Sequence, residues 1–229
     1  MARRSRRFEP PELPPAGGVI TSIGLPATVP PVVVIRIGRR IAGRVAEQQA
    51  ARLQIRAGLE WSEGLRAAVA RSMMLAEARE WALHAAARRP MSRSMLVSKL
   101  RQRGLEQGPA TRIAEDLAAR GVIDERAFAE GVVETTLARK GAGKRFLTTR
   151  LRSRGIDSRL ADQAVDRVTA ASGYDARAAA LELARRKLRT MPERLDRDAR
   201  RRRLYGLLAR RGFDAEICRG VVEELLKEP

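Results

Sequence analysis

Residues 147–156 read LTTRLRSRGI, and the same pattern returns at 96–105 as LVSKLRQRGL and at 204–213 as LYGLLARRGF. Each copy has Leu eight and four residues before a Gly, an Arg directly before the Gly and a large apolar residue directly after it. Two Leu residues four positions apart lie on one helix face. Gly is the usual residue where a helix ends in the left-handed conformation, and the following apolar side chain folds back onto the helix. The pattern therefore predicts three helix-and-corner motifs.

The three copies stay in step beyond the Gly, where apolar residues nine and thirteen positions later mark one face of a following helix. These residues are Ile113, Leu117, Ala164, Val168, Val221 and Leu225. A leading helix can be aligned before each motif. We predict a mostly α fold of three tandem three-helix repeats forming an elongated array, at residues 73–123, 124–171 and 172–229. We expect each repeat to complete its core by stacking on its neighbours.

The first 72 residues have a different pattern. Residues 1–18 carry four Arg and a Pro-rich segment, and we predict a disordered basic tail. Residues 19–72 predict a small region with a β-hairpin, because a β-branched run at 32–37 and an alternating segment at 41–45 flank a Gly-Arg-Arg turn. Short helices are expected at 46–56 and 62–71, with Ser62 as the N-cap of the second.

Charge and composition limit the function. The net charge is +19 and is spread along the whole chain, so the field attracts polyanions: nucleic acid, or a protein coated on nucleic acid. The sequence contains one Cys, Cys218, and one His, His84, which predicts no disulfide, no metal site, no cofactor and no catalytic residue. We interpret Cys218 as a core residue and the chain as a non-enzyme. With neither a signal peptide nor a transmembrane run, we expect a cytoplasmic protein without a membrane partner.

The candidate contact residues are cations. The stretch 185–211 contains twelve Lys or Arg against three Asp or Glu, and four consecutive Arg cannot all face a core. A solvated face and a phosphate or acidic-protein contact both remain open for this stretch. The Arg before each corner Gly fits helix-end capping or a spaced basic row. The segment 140–144 departs from a phosphate loop, since it lacks the Ser or Thr after its Lys and its flanks are helical. The candidates for contact with a partner or DNA are Arg103, Lys140, Lys144, Arg154, Arg185, Arg186, Lys187, Arg200, Arg201, Arg202, Arg203 and Arg211.

These motifs together resemble the RecX family of regulators of the RecA recombinase. The resemblance covers residues 74–226 and is most specific at 121–129, GVIDERAFA, which is similar to the family's Gly-apolar-apolar-Asp-acidic segment ending in Phe-Ala. An aromatic-Ala-Leu opening at 81–83 and an Arg-rich bend before Ser92 also match. The chain departs from the family at Lys144, where the Gly-rich loop usually continues with Pro, and in its long charged stretch at 190–200.

The resemblance implies a binding function. RecX-like proteins bind the RecA filament on single-stranded DNA and inhibit its growth, ATP hydrolysis, strand exchange and co-protease activity, which places them in the SOS response and homologous recombination. Double-stranded DNA is a further candidate partner, and we expect a monomer. The alternative from the residues alone is a general basic nucleic-acid-binding helical-repeat protein without a recombinase partner.

Overall fold

The computed structural model describes residues 7–25 and 31–227, and the side chain of Lys140 lies outside this description. The described residues form ten helices and one three-stranded sheet. The chain divides into two compact units: residues up to 89 together with 96–117, and residues 90–95 together with 118 onward. Within the described ranges, no helix has an apolar stretch long enough to cross a bilayer.

The predicted β-hairpin is confirmed. Strand β2 (Val32–Ile37) pairs antiparallel with β3 (Arg40–Ala46), and a short strand β1 (Ser22–Gly24) pairs with the other edge of β2. Val33, Ile35 and Val45, which alternate along the strands and so point to one side of the sheet, are buried in the core of this region. Gly43 allows close packing of a helix on this face, since a Cβ there would lie 2.6 Å from a methyl carbon of Val69.

The helices after the sheet differ in length from the prediction. Helix α1 (Glu47–Arg52) is short as expected, and Ser62 caps the next helix by accepting a hydrogen bond from the N–H of Leu65. That helix, α2 (Glu63–Arg88), has 26 residues, so the short helix predicted over 62–71 is too short. The boundary predicted after residue 72 falls inside α2, because no Gly or Pro interrupts the chain between Gly64 and Pro90.

The prediction of a disordered tail is wrong for residues 7–18, and residues 1–6 lie outside the described part. The side chain of Leu13 packs against the core of the sheet region. The fully buried Trp61 donates an indole hydrogen bond to the main-chain oxygen of Pro14 at 3.1 Å, and its own main-chain oxygen accepts from the N–H of Gly17 at 3.0 Å. A Pro-rich segment is already extended, so little conformational freedom is lost when distant residues fix it.

The three predicted helical repeats are confirmed. In repeat 1, α2 is followed by α3 (Arg93–Gln102) and α4 (Gln107–Ala119). Repeat 2 contains α5 (Glu125–Lys140), α6 (Lys144–Arg152) and α7 (Ser158–Ala171), and repeat 3 contains α8 (Ala176–Arg189), α9 (Arg197–Arg210) and α10 (Ala215–Lys227). The corner residues Gly104, Gly155 and Gly212 have φ angles of 95°, 75° and 73°, the left-handed region that the pattern required.

Repeats 2 and 3 each have a hydrophobic core of their own, which differs from the expectation that stacking would complete it. The core of repeat 2 is built from α5, α6 and α7, with Met95 added from before the repeat. The core of repeat 3 is built from α8, α9 and α10, and Cys218 is buried in it as predicted. Three short helices can enclose these small cores because Ala residues allow the helix axes to approach closely.

Within the second compact unit, hydrogen bonds join the segments before α3 and α6 to main-chain oxygens at two of the corners. The buried hydroxyl of Ser92 donates to the main-chain oxygen of Arg154, and the N–H of Gly143 donates to the main-chain oxygen of Arg211 at 2.9 Å. Ser92 and Gly143 both stand twelve residues before the corner Gly of their own repeat. A Cβ on Gly143 would collide with the main chain at Gly212. The corner glycines therefore serve the joint between repeats as well as the helix end.

Candidate nucleic-acid and partner interface

Repeat 3 carries most of the predicted contact residues. On α9, Leu204 and Leu208 are fully buried, so the helix presents the opposite side to solvent. Seven exposed cations of this repeat lie in the last turns of α8 and in the middle of α9, and others lie elsewhere in the repeat. The seven are Arg185, Arg186, Lys187, Arg189, Arg201, Arg202 and Arg203. We call these seven residues the repeat-3 cations.

Helix α9 has an additional turn at its start, and Arg200 differs in burial from the three arginines that follow it. Helix α9 begins fifteen residues before its corner Gly, whereas α3 and α6 begin eleven residues before theirs. Arg200 thus falls within the helix and is half-buried, and its guanidinium donates to the main-chain oxygen of Glu193 at 2.7 Å. We therefore assign Arg200 a structural role at the start of α9 and leave Arg201–Arg203 as the exposed part of the run.

A groove between α9 and α10 brings two of the predicted cations together with residues that the sequence reasoning missed. Its volume is about 540 Å³, and it is lined by Asp198, Arg201, Arg202, Tyr205, Gly206, Arg219, Val222 and Glu223. Among the lining residues that we did not predict, Tyr205 adds an aromatic ring and Arg219 a third cation. Tyr205 stands seven residues before Gly212 and Arg219 seven residues after it. Residues at equal sequence distance from the corner between two antiparallel helices lie at the same height, and this rule could have predicted that the two are neighbours.

Arg103 is held between two aromatic rings. Its guanidinium carbon lies 4.7 Å from the ring centre of Phe8 and 4.6 Å from that of Trp81, and the two rings meet edge to face at 5.9 Å. The Nε atom of Arg103 is buried and has no hydrogen-bond partner among the described residues. Stacking on both rings uses the faces of the cation. We therefore leave Arg103 out of the proposed contact surface.

Arg154 and Arg211, which stand before the other two corner glycines, take part in the helix ends. The guanidinium of Arg154 donates to the main-chain oxygen of Arg150 at 3.2 Å, which is the helix-end capping expected for a cation in the last turn. Arg211 is the half-buried C-cap residue of α9. The main-chain oxygens of both residues belong to the joints between repeats.

The backbone and side chains of the Gly-rich segment between α5 and α6 form hydrogen bonds and an ion pair within the protein. The hydroxyl of Tyr174 accepts a hydrogen bond from the N–H of Ala142 at 2.9 Å and donates to the oxygen of the same residue at 3.0 Å. Lys144 forms an ion pair with Asp166, and this hydrogen bond raises the pKa of the Lys144 amine. With the N–H groups of Ala142 and Gly143 both bonded, this segment does not cradle a phosphate.

Comparison with known proteins gives the family. The models of RecX, second three-helix domain, and RecX, third three-helix domain, match residues 124–165 and 175–222. The Regulatory protein RecX of Thermobifida fusca (strain YX) is 32% identical over 154 residues, which cover 67% of this chain and 81% of the relative. The chain belongs to the RecX family. Two further RecX relatives agree: that of Mycobacterium leprae (strain Br4923) is 38% identical over 146 residues, covering 61% of this chain and 81% of its own length. That of Streptomyces coelicolor is 34% identical over 139 residues, covering 61% and 72%.

A solved RecX structure shares the fold. The crystal structure of regulatory protein RecX superposes with a TM-score of 0.67 at 24% identity, covering 94% of this chain and all of the other. That coverage includes the N-terminal sheet region as well as the RecX repeats. The tandem three-helix architecture is thus common to this chain and to a RecX protein of low sequence identity.

Proposed function

We propose that this RecX-family chain binds the RecA filament on single-stranded DNA and inhibits its growth, ATP hydrolysis, strand exchange and co-protease activity. The chain thereby regulates DNA repair and recombination in the cytoplasm, as a monomer and without bond chemistry. Its partners are the RecA filament and DNA. The observation that carries the proposal is the set of exposed repeat-3 cations on a chain of this family.

Electrostatics support a filament as the target. A polyanion attracts a chain of net charge +19 from a distance, and a DNA-protein filament presents many phosphates in a row. The cations of α8 and α9 come from two helices of one small rigid repeat, so they can engage such a surface without ordering a loop. Arg is the suitable residue type, because its planar guanidinium binds phosphate and carboxylate through paired hydrogen bonds.

The test is the single-stranded-DNA-dependent ATPase rate of the cognate RecA, with this protein added at well below one molecule per recombinase subunit. We expect a steep loss of rate, since a few molecules that block filament growth silence many subunits. The double variant Arg201→Glu with Arg202→Glu should inhibit less, because two attractions become repulsions.

The matched control is Arg39→Glu with Arg40→Glu, which changes the net charge by the same amount at the exposed hairpin turn. It should inhibit nearly as well as the original chain. If equimolar protein leaves the ATPase rate unchanged while still binding DNA, the regulatory proposal fails and the general nucleic-acid binder replaces it.

A further inference from the structure

The groove between α9 and α10 has the dimensions of a ligand site. Its volume of about 540 Å³ is within the roughly 300–1,000 Å³ range of small-molecule and cofactor sites. Residues from two helices line it, and both helices are fixed by the core of repeat 3. The groove is therefore a preformed feature of the repeat.

The aromatic ring in the groove is unusual for this chain. The sequence contains eight aromatic residues, all of them in the described part, and Tyr205 is the one that is exposed, with 38% of its surface accessible. The buried face of α9 is already filled by Leu204 and Leu208. The core does not require the ring of Tyr205, which offers an apolar surface to a ligand with a flat face.

The charges beside the ring select the class of ligand. Arg201, Arg202 and Arg219 supply three guanidinium groups, and Asp198 and Glu223 supply two carboxylates. Guanidinium groups bind phosphate, whereas carboxylates repel a purely anionic ligand and accept hydrogen bonds from the ring N–H or amino groups of a base. A ligand with both phosphates and bases satisfies this mixture better than an acidic peptide.

Gly206 gives the wall of the groove a position without a side chain. It lies in the interior of α9, where Gly is a poorer helix former than Ala, and it lines the groove next to Tyr205. A Cβ on Gly206 would lie 3.1 Å from a guanidinium nitrogen of Arg210, so the space beside this backbone is bordered by a further cation.

We propose that this groove binds single-stranded nucleic acid, with one base stacked on Tyr205 and neighbouring phosphates held by Arg201, Arg202 and Arg219. The site rests on the proposed function, since it names where this chain contacts the DNA strand, and it is tested on the strand alone, without a recombinase. Stacking accepts any base, since every base has a π-face, so binding there is insensitive to sequence.

The test compares two fluorescent ligands by anisotropy, with the full chain and no recombinase. One is an oligothymidylate of about 15 nucleotides, within the usual site size of stacking proteins, and the other is an abasic phosphodiester oligomer of equal length and charge. The original chain should bind the oligothymidylate about tenfold more tightly, the gain expected for one stacked base. Tyr205→Leu should lose this preference, and Tyr205→Phe should keep it.

The charge variants complete the test. Arg219→Gln should weaken the binding of both ligands, whereas Arg159→Gln, at an exposed position on α7 of repeat 2, should leave both nearly unchanged. Equal binding of the two ligands by the original chain overturns the proposal, as does an unchanged preference in a folded Tyr205→Leu variant. Polyglutamate is a further competitor. If it displaces the oligothymidylate as effectively as unlabelled oligothymidylate does, the proposal is overturned and the groove is assigned to an acidic protein. These binding experiments contain no recombinase. If they overturn the groove proposal, the inhibition of the RecA ATPase can still be tested on its own.

Discussion

The main-chain N–H of Phe8 donates a hydrogen bond to the main-chain oxygen of Arg103 at 2.8 Å. The equivalent oxygens of Arg154 and Arg211 accept hydrogen bonds from the preceding repeat. The N-terminal segment thus provides, at the first corner, the contact that an earlier repeat provides at the second and third. Terminal repeats need a cap on the face that lacks a neighbour, and this segment is such a cap.

Loss of the Phe8 side chain should destabilise the protein. The side chain is 3% exposed and contacts both Trp81 and Arg103. We expect Phe8→Ala to lower the free energy of unfolding by about 3 kcal/mol, the lower range for a buried Phe. Urea denaturation measures the change, and the exposed neighbour Glu9→Ala should stay within about 0.5 kcal/mol. Unchanged stability after deletion of residues 1–17 would show that the segment is not packed in solution.

Addition of a single methyl group at Gly143 should destabilise the joint between repeats 2 and 3. Gly143 has a φ of −76°, which any residue adopts, but a Cβ there would collide with the carbonyl of Gly212. We expect Gly143→Ala to cost about 2 kcal/mol of unfolding free energy through overpacking. Gly131→Ala is the matched control: its Cβ meets open space within α5, and the change should stabilise by up to about 1 kcal/mol. Similar effects of the two substitutions would refute the close approach of the repeats.

Substitution of Arg103 should lower stability without changing DNA affinity, whereas substitution of Arg202 should lower DNA affinity without changing stability. Arg103→Gln removes a cation stacked on two rings and should lower the free energy of unfolding by about 1 kcal/mol, without changing the affinity for single-stranded DNA. Arg202→Gln should leave stability unchanged and lower that affinity, with the slope of log affinity against log salt reduced by about one. Thermal denaturation and salt titration measure both quantities. A loss of DNA affinity in Arg103→Gln without a loss of stability would return Arg103 to the contact surface.

Tyr174 should make stability decline at alkaline pH. Burial raises the pKa of the Tyr174 hydroxyl, the hydrogen bond with the Ala142 backbone opposes this, and Asp175 adds to the increase. Because the pKa is higher in the folded state than in the unfolded chain, the contribution is complete below the ordinary tyrosine pKa of about 10 and is lost as pH rises through the folded value. Tyr174→Phe should cost about 1–2 kcal/mol at neutral pH, since two backbone groups of Ala142 lose their partner.

The measurement is the free energy of unfolding in urea between neutral pH and about pH 11. The difference between the original chain and Tyr174→Phe should shrink at the alkaline end, while contributions common to both, including the raised pKa of the buried Cys218 thiol, cancel. A constant difference across this range would contradict the role of the hydroxyl proton.

The sequence by itself determined the repeats and the hairpin. The two Leu residues, the Gly and the following apolar residue of each corner act within about ten positions of one another, so helix geometry and the left-handed conformation of Gly suffice to predict them. The β-branched run and the turn at Gly38 determine the hairpin in the same local way. The exposed positions of Arg202 and Arg203 could also be predicted, because the spacing of Leu204 and Leu208 fixes the buried face of their helix and places both Arg residues away from it.

Only the tertiary structure decided which side chains meet across the chain. Phe8 is captured by Trp81 and Arg103, and the long sequence separation between these residues leaves no periodic signal, so the Pro-rich segment was predicted to be disordered. Tyr205 and Arg219 come together because two helices pack against each other on either side of Gly212. The local pattern of either helix alone does not contain this packing. Helix periodicity depends on neighbouring residues, whereas a joint or a groove depends on how separate surfaces fit together when the core closes.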